Sequence, residues 1–166
     1  MTDTTLSPVR LWKRMTQPQK VAAALAFWSD EEGTDDQIKA AMLIAQQKKF
    51  RPKTVIGLDL DRKARHLASL ASLPDAIAAR VLITYHLAEK RPMMGAFLDA
   101  LGIEHDGGLI KAENVTPDAS KVRAAAAKIA EQFPAEDVDL YLNTLLCQDP
   151  ETWGALRGLA QLQGQV

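Results

Sequence analysis

Leu73–Ile110, LPDAIAARVLITYHLAEKRPMMGAFLDALGIEHDGGLI, is the stretch of sequence that decides the fold of this chain. Its first half is almost continuously apolar and predicts one helix that continues through Lys90. Pro92 cannot continue that helix and starts a second one, which Gly102 closes. The glycine-rich exit, residues 103–116, is predicted to be the one long irregular segment. A loop of this length in a helical protein is more often functional or mobile than a short connection is.

Helix starts recur at similar spacing on both sides of this stretch. Aspartates mark the first helix of each pair and prolines mark the second: Asp35, Asp75 and Asp118, and Pro52, Pro92 and Pro134. The members of each pair are 17, 17 and 16 residues apart, and successive first helices are 40 and 43 residues apart. This period resembles that of HEAT and armadillo repeats. Prolines at helix starts are equally compatible with an irregular helical bundle.

The predicted fold class is therefore all-α, either as helical hairpins of about 40 residues or as an irregular bundle of about eight to nine helices. No alternating apolar run is long enough to predict a strand. We predict a single domain over residues 1–166. Its expected parts are N-terminal helices in residues 1–33 and three helical-hairpin units in residues 34–72, 73–116 and 117–164.

Three local features mark the helix that is predicted to follow Gly33. Thr34 and Gln37 have the spacing of a capping box, in which each side chain bonds the backbone of the other residue. Apolar residues then share one face of the helix, among them Ile38 and Met42. Cations in the last turn, before Pro52, complement the negative end of the helix dipole.

The composition is that of an ordinary globular protein, with 47% apolar and 25% charged residues, which argues against wholesale disorder. Lys and Arg number 20 and Asp and Glu number 21, so the net charge is −1 and no overall field attracts nucleic acid or acidic membranes. The charge is uneven, because residues 1–65 carry 12 basic and 8 acidic groups and residues 66–166 carry 8 and 13. We expect at most a basic patch at one end.

Cys147 is the single cysteine, which excludes an internal disulfide and zinc motifs built from paired cysteines. Its apolar surroundings indicate a small core residue. The first residues show no secretory signal, and the apolar run at residues 21–28 is far shorter than the ~20 residues of a membrane span. We expect a cytoplasmic protein with no membrane partner.

The best candidate metal site combines two histidines and two carboxylates: His86, Glu104, His105 and Asp106. His86 shares the apolar face of the predicted central helix, and the exit that carries the other three could fold back toward it. Such a set binds a divalent metal or provides an acid–base pair. The alternative is a core histidine bonded to a backbone carbonyl, beside a solvated turn. We expect no cofactor, since no phosphate loop, dinucleotide fingerprint or serine nucleophile elbow is present.

Seven cations form a basic cluster in residues 48–65: Lys48, Lys49, Arg51, Lys53, Arg62, Lys63 and Arg65. Two basic segments joined by a turn can contact phosphates, so the cluster is a candidate nucleic-acid surface. The alternative is structural, because the first group complements a helix dipole and the second lies on a solvated helix face.

The leading hypothesis for function is a non-enzymatic protein-interaction or scaffold module, which binds a protein partner or a second copy of itself. It depends on the recurring hairpin pattern and on the absence of a catalytic motif in the sequence. The first alternative is nucleic-acid binding through the basic cluster. The second is a metal-binding protein or metal-dependent enzyme that uses His86 and His105.

Overall fold

The computed structural model describes residues 7–113 and 115–157 of the chain. Over these residues the protein is all-α, which confirms the predicted fold class. The helices are α1 (Pro8–Arg14), α2 (Gln17–Ser29), α3 (Thr34–Lys48), α4 (Pro52–Ile56), α5 (Leu60–Ala68), α6 (Asp75–Glu89), α7 (Arg91–Leu101), α8 (Ala119–Gln132) and α9 (Ala135–Gln148). No helix in this part of the chain is both long and apolar enough to cross a bilayer.

The described residues group into two compact units. The N-terminal unit is Pro8–Glu89, and the C-terminal unit begins at Lys90. The division therefore falls inside the stretch quoted first, between α6 and α7. Nothing in this grouping supports a hairpin repeat, because the two helices of the predicted unit 73–116 belong to different units. The single domain and its three hairpin units stay predictions.

The N-terminal unit is built around α2 and α6. Helix α2 packs against α5 and α6, while α1 packs against α6 and α3 packs against α4. Trp12 of α1 is completely buried, and its indole N–H donates to the Leu70 carbonyl at 3.1 Å. A second long-range bond runs from the Val9 N–H to the Asp75 carboxylate at 3.2 Å. The first and last helices of this unit are thus joined directly.

The capping box lies one helix earlier than predicted. Thr16 caps α2, its hydroxyl accepts from the Gln19 N–H, and the Gln19 amide accepts from the Thr16 N–H. The box predicted at Thr34 is wrong, because Gly33 occupies the cap position of α3 and no side chain caps it. The Gln37 amide instead donates to the carbonyls of Phe27 and Asp30 and fixes the turn between the two helices.

The C-terminal unit has α8 at its centre. Helix α8 packs against α7, α9 and a 3₁₀ helix at Gly154–Leu156. The Phe97 ring is fully buried, with the rings of Tyr141 and Trp153 at 5.7 and 5.8 Å. Burial raises the pKa of the Tyr141 phenol well above its ordinary value. The core of this unit is therefore an aromatic cluster.

A mostly buried ion pair links the start of α7 to the first turn of α9. The Lys90 ammonium donates to the Asp137 carboxylate at 2.9 Å, and the two side chains are 25% and 11% exposed. Lys90 is the cap residue directly before α7, and Asp137 lies in the first turn of α9. An anion is favourable at that helix end because the helix dipole is positive there.

A small hairpin of two strands corrects the prediction that no strand is present. Strand β1 (His105–Asp106) pairs antiparallel with β2 (Leu109–Ile110). The two residues between them, Gly107 and Gly108, have φ of 55° and 96°. A two-residue turn with positive φ at both positions closes a hairpin well because its twist matches that of the strands. The adjacent glycines were the signal for it.

The predicted unit 117–164 is only partly within the described residues, where the 3₁₀ helix follows α9. Asp149 starts a tight turn between these two helices. Its carboxylate accepts from the hydroxyl and from the backbone N–H of Thr152, and these bonds hold the pKa of Asp149 below its ordinary value. Residues 158–164 of the predicted unit lie outside the described range.

Lys49, which closes α3, has a left-handed backbone with φ of 60°. We expect Lys49→Gly to raise the free energy of unfolding of the N-terminal unit by about 1 kcal/mol, because glycine adopts this conformation without the steric cost that a β-carbon brings. Lys48→Gly is the matched control. It lies one residue earlier in regular helix and should lower stability by about 0.5–1 kcal/mol. Urea unfolding of both variants checks the opposite signs, and equal signs would contradict the assignment of strain to position 49.

Candidate functional site

Exposed apolar side chains are concentrated in the N-terminal unit. Seven large apolar side chains among the described residues are more than a third exposed: Ile38, Met42, Phe50, Ile56, Leu60, Ile83 and Leu109. Six of them belong to Pro8–Glu89. Exposed apolar groups that cluster often mark an interaction surface, whereas scattered single ones are ordinary. Whether these side chains lie together therefore decides between an interaction surface and ordinary scattered exposure.

Two of these side chains, Met42 and Phe50, line a shared open groove of about 600 Å³. Its walls are α3, the turn that leads into α4, and the first turn of α6. Apolar side chains make up most of the lining: Met42, Leu43, Phe50, Pro52, Pro74 and Ile77. Lys39 and Gln46 add polar groups on the α3 side. We call this feature the α3–α6 groove.

The sequence positions these groups through ordinary helix geometry. Ile38 and Met42 are four residues apart and so lie on one face of α3. Met42 is 56% exposed, whereas its neighbours Ala41 and Ile44 are fully buried. Pro52 and Pro74 border α4 and α6 at their first turns and cannot donate a backbone N–H. The groove is thus a second apolar surface of α3, separate from the one that packs into the core.

Phe50 lines the groove and is 40% exposed. Its ring is held edge-on against the His66 imidazole of α5, with centroids 5.4 Å apart. The half-buried His66 side chain thus supports the Phe50 ring.

The structure divides the basic cluster into two sets. The set on α5 has partners within its own unit: Arg62 pairs with Asp59 at 3.7 Å, and Arg65 pairs with Asp61 at 3.1 Å. Lys63 lies over the Trp28 ring, with Nζ 5.4 Å from its centroid. The other set, beside the groove, is exposed and makes no ion pair within the described residues: Lys48, Lys49, Arg51 and Lys53. Only this second set is fully available to a partner.

His86 is a buried residue of α6. It is 3% exposed, and its Nδ1 lies 2.8 Å from the Leu82 carbonyl oxygen, so Nδ1–H donates to that carbonyl. The Tyr85 ring packs against the imidazole with centroids 5.2 Å apart. This geometry matches the alternative weighed from sequence, a core histidine bonded to backbone.

His105 fastens the β-hairpin to α7. The Gly108 N–H donates to Nδ1 at 3.0 Å, so Nε2 carries the proton and donates to the Asp99 carboxylate at 2.7 Å. Gly95 of α7 leaves room for the ring, since a β-carbon there would lie 3.3 Å from the His105 Cε1. Because both ring nitrogens are engaged in hydrogen bonds, neither is free to bind a metal in this geometry. Its position serves to hold the hairpin.

The remaining residues of the candidate metal site are exposed. The Glu104 side chain is exposed, and Asp106 is 4.0 Å from the Lys111 ammonium. Within residues 7–113 and 115–157, no three His, Cys, Asp or Glu side chains are grouped so that they could hold a metal ion. The structure gives no support to a metal site at His86, Glu104, His105 and Asp106, which stays a prediction.

Sequence reasoning did not identify Asp99 as the partner of His105. A signal was present, because Asp99 lies in the last turn of α7, where the helix dipole disfavours a carboxylate. An acid at such a position needs a compensating donor, and the imidazole N–H provides it.

We expect Gly108→Ala to lower the free energy of unfolding by about 2–3 kcal/mol. A β-carbon at this position would lie 2.6 Å from the Met94 Cβ and would also impose a left-handed backbone on alanine. Gly102→Ala is the control, since its φ is also positive but nothing lies within 4 Å of the added carbon. It should cost about 1 kcal/mol. Equal losses in thermal unfolding would show that the hairpin moves away from Met94 without resistance.

Comparison of this chain with protein-family models, with curated proteins and with solved structures finds no match.

Proposed function

We propose that the chain is a non-enzymatic protein-interaction module, and that its N-terminal unit binds an apolar segment of a partner protein in the α3–α6 groove. The observation that carries this proposal is the exposed Met42 and Phe50, which share one groove with Leu43 and Ile77. A concave, mostly apolar surface with a few polar groups at its edge is the common form of a binding site. Apolar anchors in such sites supply most of the binding free energy.

Nucleic-acid binding is the second candidate, and the exposed set of Lys48, Lys49, Arg51 and Lys53 favours it. The groove beside these cations argues for a protein instead, because its lining is mostly aliphatic. Surfaces that bind single strands present aromatic rings on which bases stack, and Phe50 is the one aromatic residue in the groove lining. A cytoplasmic location is part of the proposal, and the low cysteine content of the sequence, one residue in 166, is typical of proteins in reducing compartments.

Site-specific photo-crosslinking in cells tests the protein-binding function. A photoreactive phenylalanine derivative at Met42 should give adducts with a defined protein, whereas the same group at Lys13, exposed on α1, should not. The partner identified in this way is then purified and its affinity measured by calorimetry. Adducts that are the same from both positions would contradict the proposal.

Met42→Asp supplies the quantitative prediction. We expect it to weaken binding of the purified partner at least about tenfold, because a carboxylate would be buried in an apolar contact. Its effect on stability should stay within about 0.5 kcal/mol, since the side chain is mainly exposed. Gln17→Asp adds the same charge at an exposed position of α2 and should leave affinity unchanged. Equal affinity for Met42→Asp and the unchanged chain would place binding elsewhere.

A further inference from the structure

The segment that supplies most of the groove lining, residues 38–53, carries charge of one sign. Residues 38–53 contain five cations and no aspartate or glutamate: Lys39, Lys48, Lys49, Arg51 and Lys53. The acids that border this segment are Asp35 and Asp36 in the first turn of α3, and Asp75 next to Pro74. Asp75 already accepts the Val9 N–H. The groove therefore has a basic edge, in a chain whose net charge is −1.

The cations beside the groove differ from those of α5. Arg62 and Arg65 each have an aspartate three or four residues earlier in the chain, which partly neutralises them. None of the cations between residues 39 and 53 has an ion-pair partner within the described residues. Lys39 has Asp35 and Asp36 within one helical turn, but Lys48, Lys49, Arg51 and Lys53 have no acid within four residues in the chain. Four neighbouring cations without local acids attract anions over roughly a Debye length, ~8 Å at physiological salt.

Lys49 provides an independent observation. It is the one non-glycine residue with positive φ in the described part of the chain. Helices that end in this conformation use glycine in most cases, because a β-carbon is strained there. Residues held in unfavourable backbone conformations are found preferentially at functional sites. Lys49 directly follows α3 and directly precedes Phe50, which lines the groove. The residue with the strained backbone is therefore a cation adjacent in the chain to the groove.

We propose that the occupant of the α3–α6 groove is an acidic amphipathic helix of a partner protein. This inference rests on the proposed function and adds the chemical class of the partner. Apolar side chains of the partner at positions i, i+3 or i+4, and i+7 enter between Met42, Phe50 and Ile77. Glutamates or aspartates on the flanks of that helix contact the lysines and Arg51 on the groove edge. A helix fits because the groove lies between helices and offers no strand edge to which an extended peptide could add.

Three synthetic helical peptides with the same leucine positions test this inference. Their remaining positions carry mainly Glu, Gln or Lys, and binding to the full chain is followed by fluorescence anisotropy. We expect the Glu peptide to bind about tenfold or more tightly than the Gln peptide at low salt, and the Lys peptide to bind most weakly. The preference should shrink as the salt concentration rises, because screening shortens the range of the attraction.

Matched variants assign the preference to the groove edge. Replacing Lys48, Lys49, Arg51 and Lys53 by Gln should bring the Glu-to-Gln affinity ratio close to one and leave binding of the Gln peptide unchanged. Arg62→Gln with Arg65→Gln removes charges that are already paired and should preserve most of the ratio. Lys49→Gly removes one cation and is also expected to stabilise the chain. It should therefore reduce the Glu-to-Gln affinity ratio, and a loss of stability could not explain that reduction.

The outcomes distinguish this inference from the function on which it rests. Equal binding of the Glu and Gln peptides, with both abolished by Met42→Asp, overturns the acidic partner and leaves protein binding in place. Failure of all three peptides overturns the amphipathic helix as occupant, while photo-crosslinking at Met42 still decides the function separately. Tight binding of a DNA or RNA oligonucleotide that needs the four cations and is unaffected by Met42→Asp overturns both in favour of nucleic acid.

Discussion

Trp12→Ala is expected to lower the free energy of unfolding of the N-terminal unit by about 3–5 kcal/mol, enough to unfold a marginally stable protein in part at physiological temperature. The Trp12 side chain is completely buried, and its indole N–H donates to the Leu70 carbonyl, 58 residues away along the chain. Alanine would leave a large cavity and also an unsatisfied buried carbonyl. Urea unfolding followed by circular dichroism at 222 nm measures the loss, and this signal does not depend on the tryptophan itself.

Trp28→Ala is a closely matched control for that prediction. The Trp28 indole also donates to a backbone carbonyl of the same unit, that of Lys63, at the same 3.1 Å. Trp28 is only half-buried, however. The two variants lose the same atoms and an equivalent hydrogen bond, so their difference reports burial. We expect about 1–2 kcal/mol for Trp28→Ala. A Trp12 variant no less stable than the Trp28 variant would contradict the burial of α1.

Phe97→Ala is expected to destabilise the C-terminal unit by a similar amount, about 3–5 kcal/mol. The Phe97 ring is fully buried between Tyr141 and Trp153, and an alanine would remove both aromatic contacts. Edge-to-face pairs contribute about 0.5–1.5 kcal/mol beyond their buried area. Near-ultraviolet circular dichroism should lose the aromatic signal, and thermal unfolding should begin at a lower temperature.

Phe50→Ala provides the control, because it deletes the same atoms from a ring that is 40% exposed. It should cost less than about 1 kcal/mol in stability and still weaken partner binding, since Phe50 lines the groove. The two phenylalanines thus separate folding from recognition. A stability loss for Phe50→Ala as large as that for Phe97→Ala would mean that the groove belongs to the core.

The helices were predictable because the chain marks their starts with prolines and their ends with glycine or a charged turn. The segments predicted around Asp75, Pro92 and Pro134 are helical, and Gly102 closes α7 in the left-handed conformation. The prediction of a capping box at Thr34 was wrong, although Thr34 and Gln37 have the spacing of such a box. Gln37 bonds backbone carbonyls of the preceding turn instead, a contact that depends on tertiary structure.

The groove could not be predicted for a related reason. An apolar stripe on α3 predicts burial, but periodicity does not show that Ile44 faces the core while Met42 faces solvent. That distinction depends on which helices pack against α3. These are α4, α5 and α6, which come later in the chain. The partner of His105 was equally hidden, since only the fold of the β-hairpin brings Asp99 to its ring. The basic cluster was found from sequence, but its division into paired and unpaired cations was not.

The bonds that join α1 to the residues around α6 have a consequence for synthesis of the chain. The Trp12 indole cannot form its hydrogen bond until Leu70 has been synthesised. The Val9 N–H likewise has no partner until Asp75, 66 residues further on, has been added. At a translation rate of about 5–20 residues per second, the ribosome needs roughly 3–13 s to make that interval. During this time Trp12 stays exposed, because the residues that bury it have not been synthesised. A chaperone that binds nascent apolar segments could therefore bind α1.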